Sequence, residues 1–321
     1  MKQLIEKILS SQEFVDNPPV LVDIGASGQL IKEWEFIAKY SICIAFEADN
    51  REFTFIEKEN DVYRKLFVFN CIVSSHSTET VNFYLTKSPY CSSTLNPDIE
   101  ALKNYLFHDS FVVESETVLN SININAALAK SKVSYIDWFK TDSQGTDLRL
   151  FDCLSEGIKS KTIVSEFEPG IIKGYIGEDK LYDVLKSLEN YNFWVSDITV
   201  KGDYRLKNTI YDKYIQSKEG FHLKKSPGWA EVSFINNYSS SQIQSKRNYL
   251  LGWIFSSIKG QHGFALELAN NGLIQYSDEL FKECINFSLT KLQPSSTKKM
   301  ITRIKTRIIN KLLYTLNKIE N

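Results

Sequence analysis

The chain has 321 residues, 43% of them apolar and 24% charged, and a formal net charge of −1. That length and apolar share suit one large globular domain, or a domain with an appendage, that buries a sizeable core. The near-zero charge leaves no global field for nucleic acid or an anionic membrane, and the five scattered cysteines (Cys43, Cys71, Cys91, Cys153, Cys284), with no C-x-x-C pair, argue for a reducing cytoplasm and against a disulfide framework or zinc site.

The opening stretch, M-K-Q-L-I-E-K-I-L-S-S-Q-E-F, does not follow the pattern of an export signal, because Glu6 and Lys7 interrupt it and no small-residue cleavage site follows. Leu4, Ile5, Ile8 and Leu9 are spaced for a helix, which Asn17-Pro18-Pro19 ends. No apolar run is long enough to span a membrane. Val20 to Leu30, V-L-V-D-I-G-A-S-G-Q-L, reads as a strand, a glycine turn and a helix start, with Leu30, Trp34, Ile37 and Ala38 on one helical face. A second strand, Ile42 to Asn50, carries Glu47 near its end. Phe53, Phe55 and Ile56 suggest a helix, and Leu66 to Val73 a third buried strand. Strands separated by helical segments indicate βαβ units and a parallel sheet.

Residues from about 75 to 130 read as an insertion that shapes a substrate pocket. It holds an edge strand at Val81–Leu85, a polar loop at Lys87–Asn96, a short helix, a β-like stretch at Val112–Ile124 and a brief helix. The parallel pattern resumes at Val133–Asp142. Gly145 opens a helix faced by Leu148, Phe151 and Leu154, and Thr162–Phe167 is a further strand. A helix over about 178–190 precedes strands at Asn192–Ile198 and Trp229–Ile235; the last lacks a preceding helix of comparable quality and is expected antiparallel, at or near an edge. The expected architecture is α/β: a Rossmann-like sheet of about seven strands, mostly parallel with an antiparallel edge strand, over residues 1–240. Residues 241–321 form a helical appendage, ending in a basic amphipathic helix over about 298–319. That helix suits peripheral contact with an anionic leaflet, or packing on the domain or a partner subunit.

The chemistry concentrates at strand ends. Asp23, Gly25, Ala26 and Gly28 make a D-x-G-x-x-G turn, and Glu47, with Ala48 beside it, lies where an acid meets a ribose. A dinucleotide site prefers a third glycine. Two glycines preceded by Asp23 fit S-adenosyl-L-methionine better than NAD. Asp23 attracts its ammonium, backbone N–H groups near Gly25 and Gly28 its carboxylate, and Glu47 its ribose hydroxyls. Cys71 and Ile72 end the third strand, where an adenine ring packs or where the core simply closes. Lys140 and Asp142 share one sheet face. Asp142 suits a base toward an acceptor hydroxyl and Lys140 a stabiliser of developing negative charge, the alternative being a plain salt bridge. Glu166 and Glu168 end the next strand, Glu168 as a substrate contact. Ser92, Ser93 and Thr94 reach ligand or lie in a polar loop, and His108 is a remaining base candidate. No histidine stands beside Asp142 and Glu168 in sequence, so no metal is expected.

The segments V-D-I-G-A-S-G, A-F-E-A, F-K-T-D-S-Q-G-T-D and S-E-F-E resemble, in order and spacing, the FkbM family of class I S-adenosylmethionine-dependent methyltransferases. The resemblance covers about residues 18–200, and Pro227-Gly228-Trp229-Ala230 continues it. Lys140, Asp142, Gln144 and Gly145 match the family's Lys-x-Asp-x-Glu/Gln-Gly-x-Glu pattern, while Thr146 and Asp147 stand where Ala and Glu are usual. The resemblance implies O-methylation of a sugar, glycan precursor or secondary metabolite, often in polysaccharide biosynthesis, with Gln144 near the acceptor. The implied partners are a small-molecule or glycan acceptor and no nucleic acid, with a homo-oligomer open and a cytoplasmic location, at the inner face of the membrane if the last helix binds there. An NAD-dependent sugar-modifying oxidoreductase and a non-catalytic glycan- or membrane-binding relative are the alternatives.

Overall fold

The computed structural model describes residues 1–26, 31–48, 62–216, 222–238, 244–294 and 305. Gly28, the segment around Phe53–Ile56 and, except for Lys305, the basic helix expected at 298–319 lie outside the described residues. The chain divides into a unit of Lys2–Arg247 and a second unit that begins at Asn248.

In the larger unit, α1 (Lys2–Leu9) and α2 (Gln12–Asp16) lead into β1 (Val20–Ile24), in which every residue is buried. The segment after the glycine turn was expected to be an α-helix and is instead a pair of 3-10 turns, Lys32–Phe36 and Ala38–Tyr40. Its apolar residues explain this: Ile31, Trp34 and Ile37 recur every three positions, and each N–H reaches the carbonyl three residues back (Trp34 to Ile31, Ile37 to Trp34). β2 (Ile42–Phe46) and β3 (Lys65–Phe69) follow. The third strand read from sequence is broken: the Cys71 N–H turns back to the Phe69 carbonyl, and the chain restarts as β4 (Ile72–Ser74) in a different sheet.

That second sheet, ordered β4-β6-β5, belongs to the insertion. β5 (Thr80–Thr86) and β6 (Val113–Asn123) pair antiparallel, with α3 (Ile99–Leu102) and a 3-10 turn at Leu106–Phe111 between them. α4 (Ile124–Lys130) returns the chain to the main sheet through β7 (Trp138–Thr141), α5 (Asp147–Asp152), α6 (Glu156–Lys159), β8 (Val164–Phe167) and α7 (Leu181–Glu189). β9 (Phe193–Asp203), α8 (Asn208–Tyr214) and β10 (Ser226–Asn236) complete it. The strand order is β3-β2-β1-β7-β8-β10-β9. β10 runs antiparallel to both neighbours and sits one place in from the edge, the others being parallel. This is the seven-stranded, mostly parallel Rossmann-like arrangement expected.

Side chains on one sheet face build an apolar core with α4, α5 and α7, in which the Phe151 ring meets Phe139 at 5.4 Å and Phe167 at 5.6 Å. The other face carries a polar row in register across four strands, Asp23, Lys140, Glu166 and Ser233. Arg247 closes the unit, donating to Asp137 Oδ2 at 2.7 Å and Oδ1 at 2.9 Å; Asp137 Oδ2 also accepts from the Val20 N–H, which seats the start of β1. The second unit contains most of α9 (Lys246–Ile258), then α10 (His262–Tyr276) and α11 (Glu279–Leu292). Trp253 Nε1 donates to Ser288 Oγ at 3.0 Å, and Gly272 leaves room for the Phe281 ring. Among the described residues no helix is long and apolar enough to cross a membrane.

Candidate functional site

Strand order reverses between β1 and β7, and in open α/β sheets the crevice at the carboxyl ends beside such a point receives ligands. Two adjoining cavities lie there. The first, about 350 Å³, is lined by Asp23, Gly25, Phe46, Glu47, Ala48, Cys71, Ile72, Lys140, Asp142 and Gln144. The second, about 450 Å³, is walled by Phe107, Phe111, Tyr175 and Trp229 together with Asp142, Gln144, Glu168, Glu178, Asp203 and Lys225. Tyr90, Asp142 and Gln144 face both.

Gly25 makes the turn possible. Its φ of 79° favours glycine, and a Cβ there would drive into the Asp142 backbone carbonyl. The Asp142 N–H donates in turn to the Ile24 carbonyl at 2.9 Å, so the β1 and β7 ends are locked together. One expectation is corrected here. The Gly25 and Ala26 N–H groups both donate to the Phe46 carbonyl, at 3.1 and 3.0 Å, and Ala26 is buried. These two hold the turn to β2 and do not offer donors to a ligand carboxylate; the donors expected near Gly28 lie outside the described residues.

Lys140 Nζ donates to Asp23 Oδ1 at 3.1 Å. Burial works against the ammonium, but the carboxylates of Asp23, Asp142 and Glu166 outweigh it and hold the Lys140 pKa above the ordinary lysine value. Glu166 turns inward, accepting from Trp138 Nε1 at 2.8 Å and Ser233 Oγ at 3.2 Å, and so belongs to the sheet rather than to a substrate contact.

Asp142 is fixed by its neighbours. Gln144, at a φ of 55°, donates from Nε2 to Asp142 Oδ1 at 2.5 Å, and its Oε1 lies 3.0 Å from the Tyr175 hydroxyl. Burial raises the Asp142 pKa against the lowering effect of Lys140 and of hydrogen bonds from Gln144 and Glu168. Burial also pushes the Glu168 pKa to about 9, helped by the charges of Asp142, Glu231 and Asp147. Glu168 therefore keeps its proton at neutral pH and gives it in a hydrogen bond to the Asp142 carboxylate. Burial thus raises the pKa of both carboxyls, and the hydrogen bond between them places an acid–base pair where the two cavities meet.

Asp147 explains how the loop keeps this shape. It is buried at the start of α5 and accepts from Thr141 Oγ1 (3.0 Å), Ser143 N (2.8 Å), Ser143 Oγ (2.5 Å) and Glu168 N (2.9 Å). Burial raises its pKa to about 6. Its carboxylate thus ties the β7 and β8 ends to each other. Beyond it, Arg149 grips Asp179 (2.7 Å) and the buried Glu178 pairs with Lys180 (2.5 Å), fixing the loop after β8 that carries Tyr175.

Two further expectations change. Ser93 is buried; its hydroxyl donates to the Gln144 carbonyl at 2.7 Å and accepts from the Leu95 N–H, while the flanking Ser92 and Thr94 reach the first cavity. His108 is engaged at both ring nitrogens, Nδ1 at 3.0 Å from the Tyr105 carbonyl and Nε2 at 3.1 Å from Asp109, and its neighbours Phe107 and Phe111 reach the second cavity instead. The aromatic wall was not read from the sequence, because its four members come from three separate segments. Among the described residues, no group of three or more His, Cys, Asp or Glu is placed to hold a metal ion. Comparison with protein-family models, with curated proteins and with solved structures finds no match.

Proposed function

We propose that this protein transfers a methyl group from S-adenosylmethionine in the first cavity to a hydroxyl in the second, as its resemblance to the FkbM methyltransferases implies. The observation that carries the reading is the common wall: Asp142 and Gln144 face a cavity bearing Asp23 and Glu47 on one side and an aromatic, carboxylate-bearing cavity on the other. The residues fit such a donor. About 350 Å³ lies within the range of small-molecule sites. Asp23 bonds Lys140 through Oδ1 and lines the cavity, Glu47 suits ribose hydroxyls, and Phe46 and Ile72 offer apolar surface. When bound, the donor supplies an electrophilic methyl on sulfur.

The chain's own residues align the acceptor and move its proton. Phe107, Phe111 and Trp229 offer ring faces to an acceptor, with Phe107 edge-on to Trp229 at 6.3 Å. Asp142, held by Gln144 and near the Lys140 charge, takes the proton that the acceptor oxygen loses as it gains the methyl. Glu168, already protonated, donates to Asp142 and keeps the junction at a single negative charge. Lys140 holds Asp23 in place. A sugar or other ring-shaped polyol suits this combination of aromatic faces and hydrogen-bonding carboxyls.

Incubation with methyl-labelled S-adenosylmethionine and a cell extract tests the reading. Label should enter one small-molecule or glycan fraction as an ether, and Asp142→Asn should slow its entry by about 10²–10⁴-fold. Absence of transfer by the wild type to any extract, with the protein folded, would count against the reading.

A further inference from the structure

β9 is the outer strand of the main sheet and pairs only with β10 among the described residues. Asp197 to Lys201 are all exposed. A long open edge is a template for pairing with another chain, and natural edges are usually shortened, bent or covered. Here both faces of the edge carry a pattern that complements itself.

The register with β10 assigns the faces. Val195, Ile198 and Val200 lie opposite Phe234, Val232 and Ala230, which belong to the apolar core face. Yet they are 41%, 44% and 52% exposed, so the apolar face runs on past its cover. A bulge at Ser196 keeps all three on that side. Asp197, Thr199 and Lys201 lie opposite Ser233, Glu231 and Trp229, on the other face.

We propose that this edge pairs with the same edge of a second copy of the chain, antiparallel about a two-fold axis at Thr199. A two-fold interface requires a patch that is its own complement. With Thr199 opposite Thr199, Ile198 of one copy faces Val200 of the other on one side of the sheet. Asp197 faces Lys201 on the other side. Both relations occur twice. Lys201 already contacts Glu231 at 3.2 Å within its own chain, so each Lys201 would stand between two carboxylates. A register shifted by two residues in either direction loses the match of opposite charges. The paired strand continues into Gly202 and Asp203, which line the second cavity, so association would brace one wall of the site.

Sedimentation velocity on the full chain, over a wide concentration range, tests this. The wild type should reach a mass about twice 36.9 kDa. Asp197→Lys and Lys201→Asp should each weaken association about tenfold, because like charges then face each other at both ends of the interface. Mixing the two single variants, or combining both changes in one chain, restores opposite charges and should restore the dimer. Circular dichroism and thermal melting of each variant confirm that these exposed positions leave the fold intact. A wild type that stays monomeric overturns the proposal. So does a dimer indifferent to the single changes, or one that the single changes weaken and the reciprocal mixture does not restore.

Discussion

Replacing Glu168 with Gln should change how stability depends on pH. The folded protein holds the Glu168 carboxyl at a pKa of about 9, against 4.5 for an ordinary glutamate. In the interval between, the unfolded chain has released this proton and the folded chain retains it. The slope of unfolding free energy with pH follows the protons bound by the unfolded state minus those bound by the folded state, and here it is negative. Stability is greatest below the unfolded pKa and falls as pH rises toward the folded one. One proton gives about 1.4 kcal/mol per pH unit, so about 4 kcal/mol between about pH 5.5 and 8.5 as an upper bound. Glu168→Gln keeps a donor toward Asp142 and removes the titration. Asp147, raised to about 6, slopes the same way at the acid end in both proteins and cancels in the difference. Urea titrations of wild type and variant across this range should therefore give a stability difference that grows with pH in favour of the variant. Two parallel curves would refute the assignment of a retained proton to Glu168.

Asp142→Asn should lower kcat by about 10²–10⁴-fold, the usual share of a general base, while binding of S-adenosylhomocysteine, followed by calorimetry, stays within a few-fold. Gly25→Ala should cost roughly 1–3 kcal/mol in urea unfolding, because φ is 79° there and the added methyl meets the Asp142 carbonyl. Trp229→Ala should raise the acceptor KM with little change in kcat, the pattern of lost uniform binding.

Much of the frame was legible because it is local. A buried run ending in Asp23 and a glycine, a second run ending in Glu47, and Lys140-x-Asp142 each announce a strand end, and strand ends in a parallel sheet share one rim. What escaped depends on partners distant in sequence. The Gly25 and Ala26 N–H groups point at a chemical role until Phe46 is seen to occupy them. Asp147 reads as a minor departure from a motif, yet it bonds Thr141, Ser143 and the Glu168 backbone. The protonated state of Glu168 comes from burial, helped by the charges of Asp142, Glu231 and Asp147, which lie far from it in sequence. The run Leu66–Val73 is apolar except for Asn70, and one polar residue inside a buried run is a weak local mark of the kink at Asn70–Cys71 that sends its second half into another sheet. The helix expected after β1 failed for a visible reason: the recurrence every three residues at Ile31, Trp34 and Ile37 is the 3-10 period.

The central claim is that the first cavity holds an S-adenosylmethionine-type ligand with Glu47 at its ribose. Calorimetric titration of the full chain with S-adenosylhomocysteine tests it most directly. The expected result is binding with a Kd between about 1 μM and 1 mM, weakened about tenfold or more by Glu47→Ala through loss of charge-assisted hydrogen bonds. No heat at millimolar ligand, tighter binding of NAD, or an affinity indifferent to Glu47 would contradict it.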